Sequence, residues 1–198
     1  MENLFTDLLE SRIGGNFLKK TGKTLNTDSK KTKSVVDQAL PFLLGALAKN
    51  TSTNQGANSL SNALKKDHDG SIFNNLDQLI SSPENSVGSN ILKHVFAGNS
   101  RSEAETYISR KNGINTKEVG KMFQILAPIV MGGLGKMQKE KKINPEQLAG
   151  ILKIAAKKLD KNSILALVAK FIDKNGDGDI KDDLLTMSKS WIFRKFRK

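Results

Sequence analysis

Cysteine is absent from the chain, and histidine occurs only at positions 68 and 94. Without thiols there can be no disulfide and no thiolate zinc site. The sequence also lacks an H-E-x-x-H helix, a nucleophile elbow and a phosphate-binding glycine loop, which leaves few routes to nucleophilic or zinc chemistry. The expectation is a protein that is not an enzyme and has no evident small-molecule substrate. Long apolar runs are missing too: "ALPFLLGALA" and "ILAPIVMGGLG" fall far short of the ~20 residues that span a bilayer. The opening "MENLFTDLLES" carries acids where a signal peptide needs Lys or Arg. A cytoplasmic location is expected.

Acidic residues are outnumbered, 20 against 32 Lys and Arg, for a net charge of +12. Such a balance favours polyanionic neighbours, nucleic acid or an anionic membrane surface. The lysines are scattered, however, and scattered lysine reads first as a solvated face.

An internal repeat is the most informative pattern. Residues 41–49, "PFLLGALAK", and residues 128–136, "PIVMGGLGK", both fit P-x-x-x-G-x-L-x-K without a gap. Downstream, "NSLSNAL" (58–64) matches "EQLAGIL" (146–152), and "KKDHDGSIFNNL" (65–76) lines up with "DKNGDGDIKDDL" (173–184). The pattern divides the chain into an N-terminal helical repeat unit over 1–84, a C-terminal unit over 85–188 and a basic aromatic tail over 189–198. A Ser/Asn/Pro-rich seam, "SSPENSVGSN", marks the boundary.

Every periodic segment reads as helix. "SILALVAKFI" puts Ile164, Leu165, Leu167, Val168, Phe171 and Ile172 on one face at 3.6-residue spacing. "INPEQLAGIL" opens with Asn144 as N-cap, Pro145 at the first helical position and Gln147 closing a capping box; Ser102 and Glu105 repeat the device. Pro41 and Pro128 stand where a helix can begin. Gly45 and Gly132, one turn on, are expected to let a neighbouring helix approach. No alternating strand pattern is present. The fold class expected is all-α, two tandem related helical units forming a multi-helix bundle.

The pairing of "ALPFLLGALAKN" with "LAPIVMGGLGKM", the "DHDGS" at 67–71 and the late "DGD…DDLL" together resemble the YidB-like family, a bacterial domain family of unknown function. The resemblance runs over roughly 10–187. It implies an all-helical fold and a bacterial source, and it supplies no substrate or catalytic residue.

The loop at 173–184 is the one plausible ion site. Counted from Asp173, an EF-hand loop takes side-chain oxygens at positions 1, 3 and 5 and a carbonyl at position 7, here Asp173, Asn175, Asp177 and Asp179. Gly178 allows the turn and Ile180 is the apolar anchor. The bidentate Glu of position 12 is Leu184 instead, so the clamp has to come from Asp183 or Asp182, with Asp183 favoured. Calcium suits this many oxygens in loose geometry, at modest affinity; magnesium would keep more water. A metal-free turn also accounts for the glycines, though not for oxygens at every second position. The first-half copy has Lys65 at position 1 and reads as a plain turn.

Two features point to polyanions. "YISRKNGINTKEVGKMF" has helix-turn-helix spacing in Ser109, Gly113 and Val119, which would turn Thr116, Lys117, Gly120, Lys121 and Gln124 outward. Thr116, Lys117 and Lys121 are then the candidate nucleic-acid contacts; the plainer reading is a helix ended by a left-handed Gly and restarted at an Asn or Thr cap. The tail "SWIFRKFRK" mixes Trp191, Ile192, Phe193 and Phe196 with four basic residues, which suits an anionic membrane or an acidic groove. The leading expectation is a non-enzymatic interaction or scaffold module with one calcium-type loop and an unknown protein partner. A nucleic-acid or anionic-membrane binder is the alternative.

Overall fold

The structure, a computed structural model, describes residues 12–85 and 87–157. The candidate ligands Asp173, Asn175, Asp177, Asp179, Asp182 and Asp183, the amphipathic 163–172 segment and the basic tail all lie outside the described residues.

Eight α-helices are present among the described residues, with no strand: α1 (Arg12–Thr24), α2 (Ser29–Asn50), α3 (Asn54–Asp67), α4 (Leu76–Ser81), α5 (Gly88–Val95), α6 (Ser100–Asn112), α7 (Thr116–Lys141) and α8 (Pro145–Lys157). Two short 3-10 turns, Ser71–Asn75 and Pro83–Asn85, flank α4. No described helix is long and apolar enough to cross a membrane. Side-chain caps start most of the longer helices: Asp28 accepts from Lys31 N–H, Thr53 from Gly56 N–H and Asn115 from Lys117 N–H. The box expected at α8 forms in full, Asn144 Oδ1 accepting from Gln147 N–H and Gln147 Oε1 from Asn144 N–H. The second expected box does not form. Ser102 lies within α6 and donates to the Asn99 carbonyl, while Glu105 is taken by Arg101.

Both repeat prolines fall inside helices, in place of the helix starts expected. A mid-helix Pro forfeits one hydrogen bond and costs about 3 kcal/mol, so packing has to offset it. Around Pro128 that packing is evident: the residues from Ile125 to Gly132 are all buried. Helix α7 is the centre of the molecule, with Val119, Met122, Phe123 and Ile125 wholly out of solvent. Phe96, the residue just past α5, meets Phe123 edge-on at 5.5 Å.

One hydrophobic cluster draws on both halves of the chain, from Leu25 through Leu64 and from Ile91 through Ala155. Helix α8 packs on α2 and α3 rather than on its own half alone. Asn50 Nδ2 donates to the carbonyls of His94 and Val95 at 3.0 Å, fastening the end of α2 to the end of α5. Parts of the seam dock against α7. Pro83 and Gly88 are buried, a Cβ on Gly88 would overlap the Gln124 carbonyl, and Gln124 Nε2 donates to Ser89 Oγ at 2.8 Å.

The glycines of the two repeat segments behave differently. A Cβ on Gly132 would lie 2.5 Å from Ile72 Cγ2, and one on Gly135 would overlap the His68 carbonyl oxygen. The turn after α3 is thus seated on α7 backbone to backbone. Gly45, expected to serve such an approach, has nothing within 4 Å of where its Cβ would be. The contrast predicts opposite mutational signs. Gly135→Ala should lower unfolding free energy by about 2 kcal/mol or more through overpacking. Gly45→Ala should raise it by about 0.5–1 kcal/mol by stiffening an open helix position, both read from urea denaturation.

Candidate functional site: a charged cleft between α6 and α7

The corner joining α6 to α7 is built from local hydrogen bonds. Gly113 ends α6 in the left-handed region at φ 61°, ψ 42°, the conformation its missing side chain permits. Ser109 Oγ donates to the Ile114 carbonyl at 2.7 Å, and Thr116 Oγ1 donates to Ser109 Oγ at 3.2 Å. Asn112 ties the corner to α2: its Oδ1 accepts from Ser34 Oγ at 2.7 Å and from Gln38 Nε2 at 3.1 Å. Ser109, Gly113 and Val119 therefore occupy the places that their spacing predicts.

What the spacing did not anticipate is the company α7 keeps. Thr116 and Lys117 are exposed, whereas Gly120 is buried and Gln124 half-buried, so the outward face expected of this helix is only partly outward. The reason is that α7 is the central helix, and α6 and the Pro83–Asn85 turn close over its first two turns. Between them lies a cleft of about 370 Å³, and a depression of about 590 Å³ lies on the outer flank of α6.

The smaller cleft carries the charge. Glu84, Arg101, Glu105, Thr116, Lys117, Gly120, Lys121 and Gln124 line it. Arg101 Nε donates to Glu105 Oε1 at 2.7 Å, with the carboxylate side chain only 14% exposed. Gly120 forms the floor beneath them: a Cβ there would press to 3.3 Å from Glu105 Oε1. Lys121, itself 21% exposed, sits 3.4 Å from Glu118 Oε1 and 3.7 Å from Glu84 Oε1. Gln124 Oε1 and Glu118 Oε2 are buried without a hydrogen-bond partner among the described residues. Of the three sequence candidates, Thr116 and Lys117 open into the cleft and Lys121 is shared by two carboxylates. Arg101, Glu105 and Glu84 went unrecognised, the only local signal being the i,i+4 spacing of Arg101 and Glu105.

The larger depression lies on the outer face of α6, beside Ser102, Glu103, Thr106, Tyr107, Arg110 and Lys111. Tyr107 is 51% exposed, one of two large hydrophobic side chains left so among the described residues. Its ring meets Phe42 edge-on at 6.0 Å, and Lys111 Nζ sits 5.5 Å from its centre and donates to its hydroxyl at 3.3 Å.

The first-half copy of the DxNxDG loop forms a turn. Asp69 Oδ1 accepts from Ser71 N–H at 3.0 Å, a bond that holds its carboxyl below the ordinary range. Gly70 takes φ 99°. Burial holds His68 below its usual value, against the opposing pull of Asp67. No group of three or more His, Cys, Asp or Glu among the described residues could hold a metal ion.

Comparison with protein families matches residues 7–137 to "Bacterial protein of unknown function (DUF937)". The match stops short of the 173–184 loop, so it upholds the bacterial, unknown-function character of the resemblance but neither the YidB-like name nor the full 10–187 extent. No curated protein and no solved structure matches the chain significantly.

The Arg101–Glu105 pair has a measurable consequence. Arg101→Ala leaves a nearly buried carboxylate unpaired and should cost about 1–3 kcal/mol. A double-mutant cycle with Glu105→Ala should show clear coupling. The same cycle on the exposed Lys33–Asp37 pair, 2.8 Å apart, should give no more than about 0.5 kcal/mol.

Proposed function

This chain belongs to DUF937, a family of bacterial proteins of unknown function, and we propose that it is a non-enzymatic interaction module that presents the outer face of α6 to an acidic protein partner. The observation that carries the reading is Tyr107. An aromatic ring half in solvent, yet already clamped by Phe42 and Lys111, offers contact area at little entropic cost. Arg110 beside it, exposed on the same helix, supplies the fork that carboxylates prefer. Tyr and Arg are the side chains in which interface energy concentrates.

A photo-crosslinking residue placed at position 107 in a bacterial host tests it. The reading expects capture of an identifiable protein through a Glu/Asp-rich segment, abolished by Arg110→Glu while the thermal melt is unchanged. Capture indifferent to that reversal, or no capture, overturns it. The net charge favours a second reading, in which Lys117 at the start of α7 together with the basic side chains of α6 meets nucleic acid or an anionic membrane. Salt-sensitive binding to duplex DNA or to phosphatidylglycerol vesicles, lost in Lys117→Ala and Arg110→Glu, would decide for it.

For the loop at 173–184 we propose a modest-affinity calcium site held by Asp173, Asn175, Asp177, the Asp179 carbonyl and Asp183 or Asp182, with magnesium as the weaker competitor. What supports it is the alternation of oxygens along the loop. Millimolar calcium should raise the melting temperature, and Asp173→Ala or Asp177→Ala should abolish the rise. An unchanged melt with calcium, magnesium and chelator would reduce the loop to a turn.

A further inference from the structure

We infer that the corner between α1 and α2 is a docking surface for duplex DNA, held through its phosphates and indifferent to base sequence. The inference does not rest on the readings of α6 and survives the failure of either. Residues 19–33, "KKTGKTLNTDSKKTK", contain six lysines, no arginine and one acid, Asp28. Two of the lysines are engaged, Lys20 with Asp77 at 2.6 Å and Lys33 with Asp37 at 2.8 Å. Lys19, Lys23, Lys30 and Lys31 are exposed and form no ion pair among the described residues. The Asp28 carboxylate is committed to the Lys31 N–H at 2.8 Å.

The corner gathers these charges on a fixed frame. A Cβ on Gly22 would stand 2.8 Å from the Thr27 carbonyl oxygen and 2.9 Å from Thr32 Oγ1. The end of α1, with Lys23, is therefore held beside the first turn of α2, with Lys30 and Lys31. Thr27 N–H donates to the Gly22 carbonyl at 2.8 Å, and Thr32 Oγ1 to the Asp28 carbonyl at 2.7 Å. Leu25, 2% exposed, anchors the bend in the core. Lys19 precedes Lys23 by one turn on the same face of α1. Local helix stability does not account for Lys30 and Lys31, since the first turn of α2 has no acid and cations there oppose the helix dipole. The bond from Ser34 Oγ to Asn112 Oδ1 brings the basic end of α6, Arg110 and Lys111, to the same end of α2, where they add to the positive field.

Duplex DNA answers this surface better than a membrane does. Attachment to lipid needs apolar side chains that enter the interface, and the corner offers none. Leu25 is buried, and Phe17 and Leu18 pack against the core. The large hydrophobic side chains left exposed among the described residues, Val87 and Tyr107, lie on other elements. DNA presents a negative charge for about every 1.7 Å of its axis. Its phosphates accept from lysine and from short polar side chains such as the exposed Asn26 and Ser29. Arginine is the commonest reader of base edges, and its absence from the corner leaves contacts that carry no sequence information.

Fluorescence anisotropy of the full chain with two labelled duplexes of unrelated sequence tests the assignment. Both should bind alike, and log affinity should fall against log salt with a slope of about −3.6 or steeper, about −0.9 for each of the four lysines. Lys23→Gln combined with Lys30→Gln should flatten the slope by about 1.8 and weaken binding at least tenfold at about 50 mM salt. Lys49→Gln combined with Lys93→Gln removes the same charge at the other end of α2, where Asn50 holds the end of α5. That end is roughly 28 Å away at 1.5 Å per residue, beyond the screening length, so this pair should leave the slope unchanged. All four positions are exposed, and thermal melts of both variants should match the parent. The assignment is overturned if neither duplex binds at about 50 mM salt, if the two pairs of substitutions cost the same, or if the duplexes differ more than tenfold. It is equally overturned if phosphatidylglycerol vesicles bind more tightly than DNA through the same lysines, or if binding is lost in Lys117→Ala but not in the corner variant.

Discussion

Helix α7 runs through the middle of the bundle, so the distance of each neighbour from it is set largely by the side chains that α7 lacks. At Gly135 the turn after α3 approaches until the His68 carbonyl stands where a Cβ would be, and at Gly132 Ile72 fills the space of a missing side chain. The reverse arrangement holds at Gly88, where the approaching segment gives up its own side chain to lie on the Gln124 carbonyl. Close packing of this kind leaves no room for a methyl group and ties three separate stretches of chain to one axis. It also explains how Pro128 survives inside the helix. A lost hydrogen bond is tolerated where burial on every side keeps the helix from bending away.

That constraint accounts for what could and could not be read from the sequence. Local chemistry was legible: the Asn144–Gln147 box, the left-handed Gly113 and the buried Val119 depend on residues a few positions apart, and each forms. The all-helical class followed from apolar periodicity for the same reason. The repeat was legible as a pattern but not as a packing plan. Gly45 and Gly132 occupy the same place in P-x-x-x-G-x-L-x-K, yet one faces open space and the other an isoleucine. A repeated motif transmits helix propensity to both copies; the neighbour each copy meets is decided by chain folded in from elsewhere. The seam at 81–90 is rich in the turn formers Ser, Asn and Pro, and turns dock against a core as readily as they hang from it.

The charged cleft was half legible on the same grounds. Thr116 and Lys117 announce themselves because they open a helix after a left-handed glycine. Glu84 comes from more than thirty residues away and reaches Lys121 only because Gly88 and Ser89 pin its segment to Gln124. Glu105 was read as the capping partner of Ser102 and Arg101 was not read at all, and the absent side chain of Gly120 is what lets the two settle inward.

Charge is therefore sorted within the molecule rather than spread over it. A protein with an excess of twelve positive charges still gathers Glu84, Glu105 and Glu118 around one short stretch of α7. Carboxylates shielded from solvent, as at Glu105 and Glu118, are costly unless paired, and each of the three, the exposed Glu84 included, has a cation within 4 Å. Pairing leaves the two flanks of α6 with different characters. On the outer flank Tyr107, Arg110 and Lys111 face solvent beside Glu103, which forms no ion pair with either cation among the described residues. On the inner flank Arg101, Lys117 and Lys121 stand against Glu84, Glu105 and Glu118, so the charges there balance. One helix with no marked apolar face can carry both surfaces because its own anchoring comes from Ala104 and Ile108, the two residues it buries.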